Sequence, residues 1–197
     1  MKIYQKGDKK LLNAWAFYDW ANSVYPLVIS TAIFPIYYGF ITDEYKYIEF
    51  LGFNFKNTAL ISFVTAIAFM FLVVMTPLLS GIADYTGLKK TFMKFFCFMG
   101  SVATISLYWF DIDNLTFGLL FYLLAMIGFW GSLVFYNSYL PDIAYENQQD
   151  SISAKGYSMG YFGSVILLIF NLVMVNFPDF FGIVGEGTVQ APIMAMK

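Results

Sequence analysis

Two long apolar runs are joined by the polar stretch Ser80-Gly81-Ile82-Ala83-Asp84-Tyr85-Thr86-Gly87-Leu88-Lys89-Lys90. Gly87 can adopt the positive φ of a tight turn, because it has no Cβ. Lys89 and Lys90 stand where the next run begins, and lysines at such a position are typical of the cytoplasmic side of a membrane. The stretch therefore predicts a cytoplasmic hairpin between two membrane helices. Its Asp84 carboxylate can accept a hydrogen bond from a helix N-terminus or pair with a cation.

The composition of the whole chain supports a membrane protein. Of its 197 residues, 59% are hydrophobic and only 12% are charged. A soluble domain carries about 25% charged residues, so this chain has too few charges to cover a water-exposed surface. The chain is predicted to be an integral membrane protein in contact with the lipid bilayer.

Charged residues divide the chain into apolar segments of membrane-spanning length. Four runs of 23 to 28 residues carry no charge, and each exceeds the roughly 20 residues that cross a bilayer as a helix. A fifth run is shorter, but Lys94 can extend its side chain to the interface from the first turn. Strands are excluded for these runs, because open sheet edges cannot lie in lipid. The prediction is an all-α membrane fold with five helices at about 15–40, 58–82, 91–110, 116–140 and 157–177.

The lysines predict the orientation. Eight of the 11 lysines fall in the segments that face the cytoplasm when the N-terminus is inside, and three fall in the outer segments. This bias has the sign of the positive-inside rule. Residues 1–14 are expected to form a cytoplasmic N-terminal arm, and residues 15–197 the transmembrane part. The last residues, from Phe180 onwards, are too short and too polar for a sixth span and are expected to form an outer loop.

The absence of several residue types narrows the function. The chain has no histidine and one cysteine, Cys97, and it has no paired carboxylates, so an enzyme is the least expected class. No cluster of metal-binding residues or cofactor motif is recognisable, and no basic run suggests a nucleic acid partner.

Polar residues and prolines in the first span are the first candidates for a solute path. Asp19 and Asn22 are three residues apart and share one helical face, with Tyr25 one turn further on. An acid at this depth is costly unless it faces the bundle or a wet cavity, although Asp19 can also lie among the headgroups beside an aromatic belt. Pro26 and Pro35 each remove a backbone hydrogen bond and are expected to kink the span.

The end of the fourth span and the start of the fifth supply the remaining candidates. Asn137 and Asp142 lie near the predicted cytoplasmic edge, where Asn137 can bind a solute or only a neighbouring helix. Gly156 and Gly160 are four residues apart in the fifth span, with Gly163 beside them. Small residues at this spacing let another helix approach closely, so these glycines are predicted to serve helix packing.

Four patches resemble a known transporter family. Asp84, Gly87, Lys89 and Lys90 resemble the core motif of the loop between the second and third helices of the major facilitator superfamily. The first span, through Asp19-Trp20-Ala21-Asn22-Ser23 and Thr31-Ala32-Ile33-Phe34-Pro35, is similar to the vacuole effluxer-like branch of that superfamily. The other two patches are Tyr136-Asn137-Ser138-Tyr139-Leu140-Pro141-Asp142 and Ser153-Ala154-Lys155-Gly156-Tyr157-Ser158-Met159-Gly160.

The resemblance implies that the chain is the amino-terminal half of a secondary transporter, without its sixth helix. Such transporters move small solutes by alternating access, and this family includes a vacuolar amino-acid exporter and many bacterial members. The expected location is a bacterial plasma membrane, the expected partner is the carboxyl-terminal half of the transporter, and Asp84, Gly87, Lys89 and Lys90 are expected to form a conformational gating loop. The alternative is a stand-alone five-helix assembly or sensor protein that dimerises through Gly156 and Gly160 without transport.

Overall fold

The fold is almost entirely helical, as the sequence predicts. The computed structural model describes residues 5–183. Within them, five helical segments are long and apolar enough to cross a membrane: Lys9–Thr42, Asn57–Thr86, Lys89–Trp109, Ile112–Ile143 and Glu146–Asn176. The predicted all-α membrane class and its five spans are therefore confirmed. The expected outer loop after residue 183 lies outside the described residues.

The first span changes its helix type halfway. Helix α1 (Lys9–Asn22) is followed by a π-helix (Tyr25–Ile33) and then by helix α2 (Phe34–Thr42). Pro26 and Pro35 each fall within the first two residues of a new segment, where the missing N–H is least costly. The prolines thus mark the boundaries of helical segments, and the wider π-helical turns between them were not predicted.

A β-hairpin follows the first span, and the sequence analysis did not anticipate it. Strands β1 (Tyr47–Phe50) and β2 (Phe53–Lys56) pair antiparallel, with Phe50 opposite Phe53. Leu51 and Gly52 both have positive φ, 51° and 81°, which is the conformation of a tight two-residue hairpin turn. The hairpin lies in a segment between spans, so its polar edges do not conflict with the exclusion of strands from the hydrocarbon.

The second and third spans meet at the quoted hairpin. Helix α3 (Asn57–Thr86) ends at Gly87, whose φ of 68° closes it in the left-handed conformation. Helix α4 (Lys89–Ser106) begins two residues later and continues into a 3₁₀ turn (Leu107–Trp109). The turn is therefore shorter than the polar stretch from Ser80 to Lys90, because α3 and α4 extend through most of that stretch.

Helices occupy more of the segment between the fourth and fifth spans than the positions of the charged residues suggest. A 3₁₀ turn (Ile112–Asn114) leads into helix α5 (Leu115–Ser138), the short helix α6 (Leu140–Ile143) and helix α7 (Glu146–Asn176), which is followed by a 3₁₀ turn (Pro178–Phe181). The segment 141–155, which lies between the fourth and fifth predicted spans, is thus mostly helical. Charged residues mark the edge of the hydrocarbon, but Glu146, Gln148 and Gln149 at the start of α7 favour a helix, so the helix can continue beyond the membrane boundary.

The described residues fall into two compact units. The first comprises residues 5–36 and 138–183, and in it α1 packs against α7. The second comprises residues 37–137, with a core that includes Leu60, Phe110 and Met126. In this second unit the Tyr37 hydroxyl donates a hydrogen bond of 2.8 Å to the Phe110 carbonyl oxygen.

Candidate functional site

The contact between α1 and α7, called here the α1–α7 seam, brings several of the predicted residues together. On α1 the buried residues are Leu12, Trp15, Ala16 and Asp19, which recur at helical spacing and form one face. On α7 the buried residues are Gly156, Gly160, Gly163 and Ser164. The seam therefore places a face containing one acid against a face made of small residues.

Two glycines of α7 give this seam its close approach. A Cβ added at Gly160 would meet the Ser23 hydroxyl, and one added at Gly163 would lie 2.6 Å from Trp20 Cδ1 and Nε1. Each glycine thus accommodates a side chain from the end of α1. The face on which a dimer through Gly156 and Gly160 depends is consequently buried within the chain.

The π-helix begins where the backbone pairing of the first span is interrupted. Pro26 has no N–H to donate to the preceding turn. The Ser23 carbonyl oxygen, one turn before Leu27, accepts a 2.8 Å hydrogen bond from the Ser164 hydroxyl of α7. The Pro26 carbonyl oxygen accepts one of 2.6 Å from the Thr31 hydroxyl. Hydroxyl groups therefore bind carbonyl oxygens at the point where the α-helical ladder gives way to the π-helix.

An open cleft of about 290 Å³ lies beside this break in the helix. Its lining combines a few hydroxyl groups with apolar and aromatic surface: Ser23, Pro26, Leu27, Thr31, Tyr157, Gly160, Tyr161 and Ser164. None of these side chains is charged. The cleft can accommodate a small organic molecule through hydrogen bonds and ring contacts.

The three candidates predicted in the first span occupy different surroundings. Asp19 is buried, with 9% of its surface exposed, and lies one turn before Ser23 on the seam face of α1. Asn22 and Tyr25 are half-buried at the end of α1 and the start of the π-helix. Asp19 and Asn22 therefore differ in exposure although they are only three residues apart.

Asn137 and Asp142 do not line the cleft. Asn137 is exposed near the end of α5, in the second compact unit. Asp142 is exposed in the first turn of α6.

The predicted gating loop contains an ion pair. Lys89 Nζ lies 3.0 Å from Asp84 Oδ1, and the Asp84 side chain is 61% exposed. The pair connects the last turn of α3 to the first turn of α4 across Gly87. Lys90 is exposed beside it. Because the pair is accessible to solvent, it can be exchanged for another partner at little cost.

The N-terminal arm is attached to the segment before α7. The Lys6 ammonium donates a 2.7 Å hydrogen bond to the Pro141 carbonyl oxygen, and the Gly7 N–H donates one of 2.8 Å to the Ile143 carbonyl oxygen. Further along, the Lys155 ammonium donates to the Asn13 side-chain oxygen at 2.6 Å. These contacts fix the end of the α1–α7 seam that lies farther from the cleft.

The five cleft residues with a hydroxyl group were not predicted as site residues: Ser23, Thr31, Tyr157, Tyr161 and Ser164. Ser23 precedes Pro26 by three residues, and a hydroxyl close to a proline in a membrane helix is a signal that could have identified it. Nothing in the sequence distinguished Tyr157 and Tyr161 from the many other aromatic residues, because exposed aromatic residues are frequent in this chain. Within residues 5–183, no group of acidic or cysteine side chains is arranged to bind a metal ion.

Comparisons with known proteins place the chain in a family. The model of the family described as "Vacuole effluxer Atg22 like" matches residues 7–190. The chain is 36% identical over 163 residues to YxiO of Bacillus subtilis (strain 168), an uncharacterised transporter of the major facilitator type, covering 83% of this chain and 37% of that protein. It is 29% identical over 177 residues to an uncharacterised protein of Aquifex aeolicus (strain VF5), covering 87% of this chain and 41% of the relative.

The chain spans about two fifths of the length of these two relatives. No protein of solved structure matches it. The match of the family model over nearly the whole chain confirms the resemblance seen in the first span and in the hairpin after α3, and the chain belongs to the family of vacuole effluxer Atg22-like proteins.

Proposed function

We propose that the chain is part of a secondary transporter of the major facilitator type, which moves a small solute across a membrane by alternating access. The observation that carries this proposal is the break in the first span. A π-helix beside an open cleft exposes polar groups within a membrane helix, and transporters bind solutes at such interrupted helices. The family and the name of the Bacillus subtilis relative support the same function.

The proposed solute is an amino acid or a molecule of similar size. The cleft volume of about 290 Å³ lies at the lower end of the range for small-molecule sites. Its hydroxyl groups and the Tyr157 and Tyr161 rings suit a solute with both polar and apolar parts. The family description mentions effluxers, so export is the proposed direction.

We assign the gating of this transport to the ion pair between Asp84 and Lys89. An exposed carboxylate that holds its cation weakly can bind a different partner in one of the two transport states, and this differential contact biases the equilibrium between them. The proposed partner is the remaining part of the transporter, which corresponds to the portion of the relatives outside this match.

The proposed location is a bacterial plasma membrane with the N-terminus in the cytoplasm. The distribution of the lysines supports this orientation, and both relatives are bacterial proteins. The alternative of a stand-alone protein that dimerises through Gly156 and Gly160 has less support, because Gly160 contacts Ser23 of the same chain.

The experiment is solute flux in proteoliposomes that contain the complete transporter. Vesicles loaded with a mixture of the twenty amino acids should lose specific members faster than protein-free vesicles. Thr31→Val should reduce this flux, because it removes a cleft hydroxyl at almost constant volume, whereas Thr58→Val, at the exposed start of α3, should not. Equal loss from vesicles with and without protein would contradict amino-acid transport.

A further inference from the structure

The Asp19 carboxylate is the one buried acid on the α1–α7 seam face, and the residues that line the cleft do not include it. It is 9% exposed, and among residues 5–183 it forms no hydrogen bond or ion pair through its side chain. Burying an ionised carboxylate without a partner is strongly unfavourable. Such a group in a membrane helix is retained when a ligand or a mobile ion supplies the missing charge.

The described lysines of the same compact unit do not supply that charge. Lys6 and Lys155 bind the Pro141 carbonyl oxygen and the Asn13 side chain, respectively. Lys9 and Lys10 are exposed at the start of α1, more than two turns away along the helix. None of these lysines therefore neutralises Asp19, so its neutralisation requires a proton or a cation from outside this unit's described residues.

The surroundings of Asp19 favour an organic cation over a metal ion. A metal cation needs several oxygen ligands, and within residues 5–183 Asp19 belongs to no group of three or more acidic or cysteine side chains that could hold a metal ion. The Ser23 carbonyl oxygen, one turn further along α1, already accepts a hydrogen bond from Ser164. An ammonium group, in contrast, is satisfied by one carboxylate and a few neutral acceptors.

The cleft begins one turn away from Asp19. Ser23 lies four residues after Asp19 on the same face, and residues at this spacing have Cβ atoms about 5–6 Å apart. A Cβ at Gly160, which also lines the cleft, would lie 3.4 Å from the Asp19 carbonyl oxygen. A solute with its ammonium on Asp19 can therefore place its apolar body at the near end of the cleft, beside Ser23 and Gly160.

We infer that Asp19 binds the positively charged amino group of the transported solute and thereby selects amines over the corresponding acids. This inference rests on the proposed transport function, and it adds the residue that recognises the positive charge of the solute. The described spans offer this carboxylate and several hydroxyl groups but no cation beside the cleft. The solute's amino group is accordingly the part that this chain recognises, and a solute carboxylate is not required for binding here.

The test measures protection of Asp19 from a hydrophobic carbodiimide, which modifies carboxyl groups inside membranes. The complete transporter in proteoliposomes is treated with the reagent, and the Asp19 peptide that remains unmodified is quantified by mass spectrometry, because an amine probe can also couple to the activated carboxyl group as an amide. The probes are leucine, its decarboxylated analogue isopentylamine and its deaminated analogue 4-methylpentanoate, with phenylalanine, phenethylamine and 3-phenylpropanoate as a second series. Sodium chloride and choline chloride are compared separately, at equal ionic strength.

Amino acids and amines of at least one series should slow the modification of Asp19 by about tenfold, whereas the matching acid should not. Modification of Asp150, an exposed acid on α7, should be unaffected by every probe and serves as the internal control. Protection by sodium alone, equal protection by amine and acid, or no protection by either series would each overturn the inference.

A variant separates this inference from the proposed function. Asp19→Asn keeps the shape of the side chain but removes its charge, so it should abolish the preference for amine over acid in a binding competition with the same probes, whereas Asp150→Asn should retain it. Absence of flux with intact protection of Asp19 would contradict the transport proposal alone. Flux by Asp19→Asn with an unchanged amine preference would contradict this inference alone.

Discussion

Two helix contacts in this chain use glycine for opposite purposes. At the α1–α7 seam, Gly160 and Gly163 receive the side chains of Ser23 and Trp20, and a polar cleft opens beside them. At the contact between α4 and α5, called here the α4–α5 seam, Gly128 meets the backbone of Gly100. The same residue type thus supports polar side-chain contacts in the first unit and direct backbone contact in the second.

The α4–α5 seam is apolar throughout its described contacts. Phe92 and Phe96 stack on Phe135, and Gly131 accommodates the Phe96 ring. Rings and backbone fill this contact tightly, and its neighbouring cavity holds only about 10 Å³. Close packing by glycine is common to both seams and therefore does not distinguish a functional site. The site proposed at the α1–α7 seam rests on the hydroxyl groups and the break in the helix that accompany its close packing.

The largest effect is expected from Gly128→Ala, which tests the rigidity of the α4–α5 seam. The new Cβ would lie 2.5 Å from the Gly100 N and Cα atoms and 2.8 Å from the Phe96 carbonyl oxygen. Backbone atoms cannot move aside as a side chain can, so we expect a loss of about 1–3 kcal/mol in the free energy of unfolding. Thermal unfolding of the purified protein measures it.

The matched control for this change is Gly81→Ala in α3. A Cβ at Gly81 meets nothing within 4 Å, and alanine favours a helix more than glycine does. The control should therefore keep or raise the melting temperature. A melting temperature of Gly128→Ala equal to that of the native protein would show that the α4–α5 seam can adjust.

Gly160→Ala should have a smaller effect on stability and a clear effect on transport. Its Cβ would meet the Ser23 hydroxyl, the end of a small side chain that can rotate away. The displaced hydroxyl belongs to a cleft residue, so flux in proteoliposomes should fall although the folded protein persists. Normal flux in Gly160→Ala, together with a loss of stability as large as that of Gly128→Ala, would contradict the expected difference between the two seams.

The sequence predicted the class, the five spans and the approximate place of the polar residues, because apolar length and charge position determine which segments cross a membrane. It did not predict the π-helix at Tyr25–Ile33, since hydrophobic patterns do not distinguish helix types. It also did not predict the Ser23–Ser164 contact. These residues are 141 positions apart, and only the packing of α1 on α7 brings them together.

Ser164→Ala tests the α1–α7 seam by removing a single hydrogen bond between the two helices. It leaves the Ser23 carbonyl oxygen without its partner from α7, at a cost of about 0.5–1 kcal/mol, and should lower flux more than stability. Ser101→Ala is the control, because Ser101 donates only to the Cys97 carbonyl oxygen of its own helix. Equal flux in the two variants would contradict a role of the Ser23–Ser164 bond in transport.

Asp84→Asn should have the smallest effect on stability, about 0.5 kcal/mol or less, since exposed ion pairs contribute little. If the Asp84–Lys89 pair participates in gating, the variant should still shift the balance between inward-open and outward-open states. Labelling of a cysteine at Thr31 from each side of the membrane measures this balance. Unchanged labelling from both sides would contradict the gating role.

We propose that the α1–α7 seam contains a water-accessible solute path and that the α4–α5 seam does not. The direct measurement is the reaction of Leu27→Cys and Val134→Cys with a water-soluble thiol reagent, in the complete transporter with Cys97→Ser and without other reactive cysteines. Leu27 lines the polar cleft and Val134 the small apolar cavity. We predict fast labelling at position 27, slowed by transported solute, and little labelling at position 134. Equal rates at the two positions, or no labelling at position 27, would contradict the account.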